Sequence, residues 1–190
     1  VTESGAPIKT DSGFSVLPGY DFENCPQADL ICIPGGLGVF DAINNQALIA
    51  FVERQCEAAQ YLTSVCTGAF VLGAAGYLKG RRATTHWGYT GALEACGASF
   101  TSGRIVTDGN LITAGGVTSG IDFSLAVIAQ IWGKTLAKSI QLRMEYDPHP
   151  PFTSGHPSRS EPAILADVQP FYDKAQAKVL AALAKRSGDS

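Results

Sequence analysis

Hydrophobic residues fall in short blocks along the chain, some continuous and some at helical spacing, with polar or glycine-rich joints between them. Leu30-Ile-Cys-Ile33, between Asp29 and Pro34-Gly-Gly36, has the unbroken apolar character of a buried strand. From Asn45 to Ala59, Leu48, Phe51, Val52 and Cys56 recur at helical spacing. Leu62, Thr63 and Val65 suit a short buried strand, and Gly68, Ala69, Leu72, Ala74 and Ala75 a helix that Gly76 stops. Arg82–Thr85 predicts a strand and Trp87–Cys96 a helix closed by Gly97. Arg104–Thr113 predicts a β-hairpin through its Asp108-Gly109 turn. Thr118 or Ser119 is placed to cap a helix through Ile131, with Ile121, Leu125, Ala126 and Ile128 inward. A further helix spans Thr135 to Tyr146, where Pro148, Pro150 and Pro151 end it. Residues 1–22, broken by Gly5, Pro7, Ser12-Gly13 and Pro18-Gly19, read as turns and edge-strand pieces. Residues 153–190 hold a Pro/Ser/Gly-rich link and an amphipathic helix over Ile164–Lys185, packed on the surface or against a partner subunit. Strands alternating with helices predict an α/β sandwich around a mostly parallel sheet.

At 190 residues the chain is long enough for one domain with a full core. A net charge of −3, with no basic stretch longer than Lys79-Gly-Arg-Arg82, argues against nucleic acid as a partner. The five cysteines are odd in number and form no C-x-x-C pair, so free thiols in a reducing compartment are expected rather than disulfides or zinc. No signal peptide and no membrane-spanning run is legible, which makes the cytoplasm the expected location.

The candidate chemistry centres on Cys66. A strand turning directly into a helix with cysteine at the corner is the geometry of a nucleophile elbow, in which the helix N–H groups face the sulfur. Such a setting is expected to lower the thiol pKa and favour thiolate. The alternative is a core cysteine in an apolar run. Ile33-Pro-Gly-Gly-Leu-Gly38 follows a buried strand, where glycines let backbone N–H groups approach a substrate as an oxyanion hole. A tight turn without chemistry explains the glycines equally well. Neither a P-loop nor a dinucleotide fingerprint is present.

Pro34-Gly-Gly36 followed by Ser64-Val-Cys-Thr-Gly-Ala69 resembles the ThiJ/PfpI superfamily. Its members share a flavodoxin-like three-layer sandwich and a cysteine elbow with class I glutamine amidotransferases. Within it, Leu72-Gly-Ala-Ala-Gly76, Arg81-Arg-Ala-Thr-Thr-His-Trp87, Asp108-Gly-Asn110, Gly115-Gly116, Ser119-Gly-Ile-Asp-Phe123 and Glu145 through Phe152 resemble the isocyanide hydratases, over residues 12–152. The resemblance implies hydration of an isocyanide (isonitrile), R–N≡C, to an N-substituted formamide with neither metal nor organic cofactor. Cys66 would form a thioimidate that water then resolves, dividing one hard addition into two easier ones. Thr67 would sit closest to the sulfur, with backbone N–H groups of Gly36 and Leu37 completing a polar cradle. A homodimer is also implied.

One departure stands out. Members of the family begin with a strand and helix bearing an acidic residue near the cysteine, and this sequence starts at what looks like the segment after that unit, some ~30 residues on. Asp29, Glu53 and Asp122 are not substitutes for that carboxylate.

His86 follows the Arg82–Thr85 segment and could serve as a base for Cys66, yet the resemblance assigns no base here and the His-then-Glu pattern of the amidotransferases is missing. A structural or pocket-lining role is the other reading. Tyr146 and Trp87 read as pocket lining or core, Asp122 as a helix first-turn carboxylate, and Cys32 and Cys56 as inert filler. His149 and His156 lie in the Pro-rich segment without metal-ligand spacing. Competing functions are another ThiJ/PfpI activity on small aldehydes or glycated thiols, redox sensing through Cys66, and a ligand-sensing domain related to AraC-type regulators. The last predicts a basic DNA-binding extension, whereas the residues after Pro150 hold one amphipathic helix.

Overall fold

The N-terminal stretch closes on itself through Ile8–Lys9 (β1) and Ser15–Val16 (β2), an antiparallel two-residue pairing. The structure is a computed structural model that describes residues 1–10 and 13–188, so Ser12 of the expected Ser12-Gly13 turn lies outside the described residues. Leu30–Ile33 (β3) forms where the apolar run predicts it, and a single turn of helix, Val39–Ala42 (α1), follows the glycine-rich loop. Gln46–Ala58 (α2) starts at Asn45, whose side chain accepts the Leu48 N–H at 3.0 Å. Gln55 on α2 is buried but satisfied. Its amide accepts the Ala28 N–H and donates to Pro26 O, bracketing the chain that leads into β3.

Tyr61–Val65 (β4) runs into a 3-10 turn, Cys66–Gly68, and then Ala69–Ala74 (α3). The expected strand at Arg82–Thr85 shortens to Arg82–Ala83 (β5), because Thr84 and Thr85 turn to side-chain bonding. The Thr84 N–H goes to Thr113 Oγ1, and the Thr85 hydroxyl to Cys66 O. The helix expected over Trp87–Cys96 is instead two 3-10 turns, Trp87–Ala92 and Glu94–Cys96. Gly88 and Gly91 weaken an α-helix there, and both lie against the C-terminal helix. Ser99–Phe100 (β6) pairs with β5 in parallel.

Ile105–Asp108 (β7) and Leu111–Ala114 (β8) make the expected hairpin. Asp108 at its turn accepts the Arg82 N–H at 2.8 Å and pairs with Arg81 Nε at 3.5 Å, tying β5 to the hairpin. Ser119–Trp132 (α4) and Lys134–Arg143 (α5) follow, then a 3-10 turn at Pro157–Arg159 and the long helix Pro162–Gly188 (α6). No helix among the described residues is long and apolar enough to cross a membrane.

The central sheet has the order β3-β4-β8-β7, parallel except at the hairpin. Ile31, Leu62 and Leu111 point to one face, into a core shared with α2, α3 and α6 residues such as Val52, Phe70 and Val179. Ile112 and Ala114 point to the other, against Phe123 and Val127 of α4. Helices therefore cover both faces, the three-layer arrangement expected. On α4 the inward stripe is Phe123 and Val127, whereas Ile121, Leu125 and Ile128 turn away to line a cleft with Ile140 and Met144 of α5. Apolar on most sides, α4 has two stripes, and periodicity alone chose the wrong one. Capping also differs: the Ser119 hydroxyl donates to Gly116 O at 2.6 Å, and neither Thr118 nor Ser119 caps the helix with its side chain.

Ser64, in the middle of β4, is fully buried, and its hydroxyl has no partner among the described residues. A desolvated, unpaired hydroxyl costs about 1–3 kcal/mol. Ser64→Ala is expected to raise the urea midpoint by an equivalent of about 1 kcal/mol, and a lowered midpoint would show that the hydroxyl has a partner.

Candidate active site

Parallel β4 ends in the middle of the sheet, so the chain leaving it emerges at the carboxyl edge, where such sheets bind ligands. Cys66 occupies that corner with φ of +59°, a left-handed conformation that a non-glycine residue adopts only when its surroundings hold it there. Both of its backbone polar groups are gripped. Its N–H donates to Gly115 O at 2.8 Å, and its carbonyl accepts the Thr85 hydroxyl at 2.7 Å. The side chain is half-buried rather than sunk in the core. Burial pushes the Cys66 thiol up, while the Thr67 N–H and hydroxyl pull the other way. Burial prevails, so the expected lowering of the thiol pKa is corrected. The turn at Cys66–Gly68 is 3-10 and α3 has six residues, a short source of dipole against that desolvation. By comparison Cys56 and Cys96, deeper in the core, are pushed up to about 12 and about 11.

Thr67 is buried directly behind the sulfur. Its Oγ1 accepts the Gly36 N–H at 3.0 Å and lies 3.2 Å from Gly36 O, so the single hydroxyl proton goes either to that carbonyl or to the sulfur. The Gly36 N–H is thereby committed to Thr67 and holds the loop on the elbow rather than facing a substrate. The Leu37 N–H has no partner among the described residues, and its side chain is mostly exposed. The glycine that packs on Cys66 is Gly35. A Cβ there would lie 2.7 Å from Cys66 Cβ and 2.8 Å from Thr67 N. The adjacent Gly35-Gly36 pair is the one local sign of this close approach, and it does not say which element approaches. A cavity of about 690 Å³ is lined by β3, by α2 residues such as Phe51 and Val52, and by the loop through Pro34, Gly35 and Gly38.

His86 is brought to the same corner, one residue beyond Thr85. Its Nδ1 accepts the Gly88 N–H at 3.1 Å, capping the 3-10 turn. A nitrogen so engaged is unprotonated, which assigns the proton of the neutral ring to Nε2 and leaves no free lone pair for a base. Burial alone lowers the His86 pKa from 6.5. With the folded value below the unfolded one, this residue adds stability that is present above pH 6.5 and lost as pH falls below it. His86→Asn, which keeps an acceptor for Gly88, is therefore expected to flatten the acid side of the stability profile measured by urea unfolding between pH 5 and 8.

Tyr146 is tied to the first turn of α4. Its hydroxyl donates to Asp122 Oδ1 at 3.0 Å, and Asp122 also pairs with Arg104, whose guanidinium reaches Thr118 O at 2.7 Å. These contacts fasten the end of α5 and the loop before β7 to the first turn of α4. Among the described residues no three His, Cys, Asp or Glu side chains are grouped to hold a metal.

The DJ-1/PfpI family profile matches residues 1–130. The chain is 44% identical over 163 residues to an isonitrile hydratase of Pseudomonas putida, covering 86% of this chain and 72% of that protein. The HTH-type transcriptional regulator GbdR of Pseudomonas aeruginosa is 28% identical over 145 residues, 75% of this chain and 39% of the regulator. A crystal structure of a ThiJ/PfpI family protein from Pseudomonas syringae superposes with a TM-score of 0.93 at 36% identity, over 96% of this chain and 76% of that one. An elbow cysteine at the edge of a parallel sheet, a profile matched over most of the length and a fold shared almost throughout lead to one conclusion: the chain belongs to the DJ-1/PfpI family.

Proposed function

We propose that this protein hydrates an isonitrile to an N-substituted formamide, with Cys66 as the nucleophile. The observation that carries the reading is the left-handed, doubly gripped Cys66, in a chain 44% identical to an isonitrile hydratase. The terminal carbon of R–N≡C has both a lone pair and an accepting π* orbital. Sulfur bonds to that carbon while the thiol proton ends on it, giving E–S–CH=N–R with nothing released. A thiol whose pKa is raised keeps that proton until the substrate arrives. Water then adds to the thioimidate carbon, the C–S bond breaks, and R–NH–CHO leaves with the thiol restored.

Thr67 steadies the sulfur through its N–H and hydroxyl, and the Leu37 N–H faces the developing charge of the tetrahedral intermediate. Gly36 acts by shaping the loop. The protein works as a homodimer in the cytoplasm. Val117, Ile121, Leu125 and Ile128 line an open apolar cleft with Ile140 and Met144 of α5, and all five cysteines are free. Incubation with an alkyl isonitrile is expected to yield the formamide by chromatography. Turnover of methylglyoxal with none of the isonitrile would assign a different activity of the family.

A further inference from the structure

We propose that Tyr172, on the C-terminal helix α6, is a positioning residue of the Cys66 site: its ring holds the His86 imidazole with the proton on Nε2, against the Gly115-Gly116 turn that grips the elbow. The proposal rests on the hydratase reading for its kinetic consequence, and on geometry alone for its structural one.

His86 and Tyr172 are stacked, with centroids 4.8 Å apart and planes 29° from parallel. Tyr89 meets the imidazole edge-on at 5.7 Å, and Trp87 lies 5.6 Å away. Tyr172 itself touches Trp87 at 4.5 Å and Tyr89 at 5.9 Å, so one side chain of α6 joins every ring of the cluster. The edge of the imidazole bearing Cδ2 and Nε2 packs on Gly116. A Cβ on Gly116 would stand 2.9 Å from Cδ2 and 3.6 Å from Nε2. The preceding residue, Gly115, supplies the carbonyl that accepts the Cys66 N–H, and the residue before His86 supplies the hydroxyl on Cys66 O. His86 is thus wedged between the two grips on the nucleophile.

Tyr172 reaches it because residue 88 has no side chain. A Cβ on Gly88 would lie 2.5 Å from Cγ and Cδ1 of the Tyr172 ring. The titratable groups around the imidazole are Tyr89 of its own turn, Tyr172 of α6 and, beyond Gly115-Gly116, Cys66, whose charge raises the Tyr89 pKa. Burial lowers the His86 pKa, and the rings of Trp87, Tyr89 and Tyr172 pack around the imidazole. Held this way, with Nδ1 accepting the Gly88 N–H and the proton on Nε2, the imidazole is unable to take the Cys66 proton, which stays on sulfur until the isonitrile arrives. Freed from Tyr172, the ring would hydrate, rotate and titrate near its ordinary value.

The test uses three variants. Tyr172→Leu removes the stack, Gly88→Ala displaces the Tyr172 ring by steric clash, and Tyr172→Phe keeps it. Two-dimensional 15N NMR of the His86 ring is expected to show Nε2–H in the parent and in Tyr172→Phe. In Tyr172→Leu and Gly88→Ala it is expected to show mixed tautomers and a pKa moved up toward 6.5. For formamide formation, kcat should fall about tenfold in the latter two with KM changed less than about twofold, its acid limb moving with the NMR pKa, and Tyr172→Phe should recover most of kcat. An unchanged tautomer and pKa in both disrupting variants overturns the proposal, as does equal damage from Phe and Leu. Should Tyr172→Leu fail to fold, Gly88→Ala set against Tyr172→Phe decides alone. A parent inactive on isonitriles sinks the hydratase reading, and the NMR comparison still decides this one.

Discussion

Cys66→Ala abolishes formamide formation from an alkyl isonitrile, with kcat lowered at least about 10⁴-fold, as expected when a nucleophile is removed and only binding remains. The loss comes without unfolding, because the backbone grips on residue 66 from Gly115 and Thr85 involve no side-chain atom of the cysteine. Cys66→Gly sharpens the point. At φ of +59° alanine carries the Cβ strain that glycine lacks, so the glycine variant should be more stable than the alanine variant by about 1 kcal/mol while equally inactive. That pairing is the mark of a residue held in strain for its chemistry. Circular dichroism and urea midpoints measure one half, and product chromatography the other. An alanine variant that retains turnover contradicts the mechanism.

Gly68→Ala should destabilise more than any other single methyl added to this corner. A Cβ at residue 68 would sit 2.8 Å from Ile33 C and from Pro34 O, with Ile33 O nearer still. These are backbone atoms at the end of β3, which is fixed by its parallel pairing to β4, so no flexible side chain can yield. Relief requires β3 and the Gly35-Gly36 loop to move off the elbow, which also breaks the bond from the Gly36 N–H to Thr67 Oγ1. The expected cost is about 3 kcal/mol, at the upper end for overpacking, with activity lost in the fraction still folded. A urea midpoint within about 0.5 kcal/mol of the parent would show that the two strands are not packed as described.

Much of this corner was legible from residue types alone. An unbroken apolar run bounded by Pro34 fixes the place of β3, although as an edge strand it buries Ile31 and leaves Cys32 exposed. Asn45 announces the start of α2, and Asp108-Gly109 dictates the hairpin. Placing Cys66 between a strand and small helical residues located the elbow. The failures have physical causes. The 3-10 turns over Trp87–Cys96 arise because Gly88 and Gly91 serve contacts with α6, some 80 residues further on, which no local pattern displays. The Gly36 N–H looked open to substrate until the Thr67 hydroxyl took it, a tertiary hydrogen bond between loops 31 residues apart. The thiol was expected to be acidic from its place at a helix start, and the balance went to desolvation once the corner proved half-buried.

The most direct measurement is the mass of the protein quenched in acid during turnover of an alkyl isonitrile, together with peptide mapping of the quenched sample. The account predicts a gain equal to one whole isonitrile, with nothing lost, confined to the peptide that contains Cys66 and missing from Cys66→Ala. Formamide released at the parental rate by the alanine variant, or an adduct carried only on Cys25 or Cys32, would contradict it.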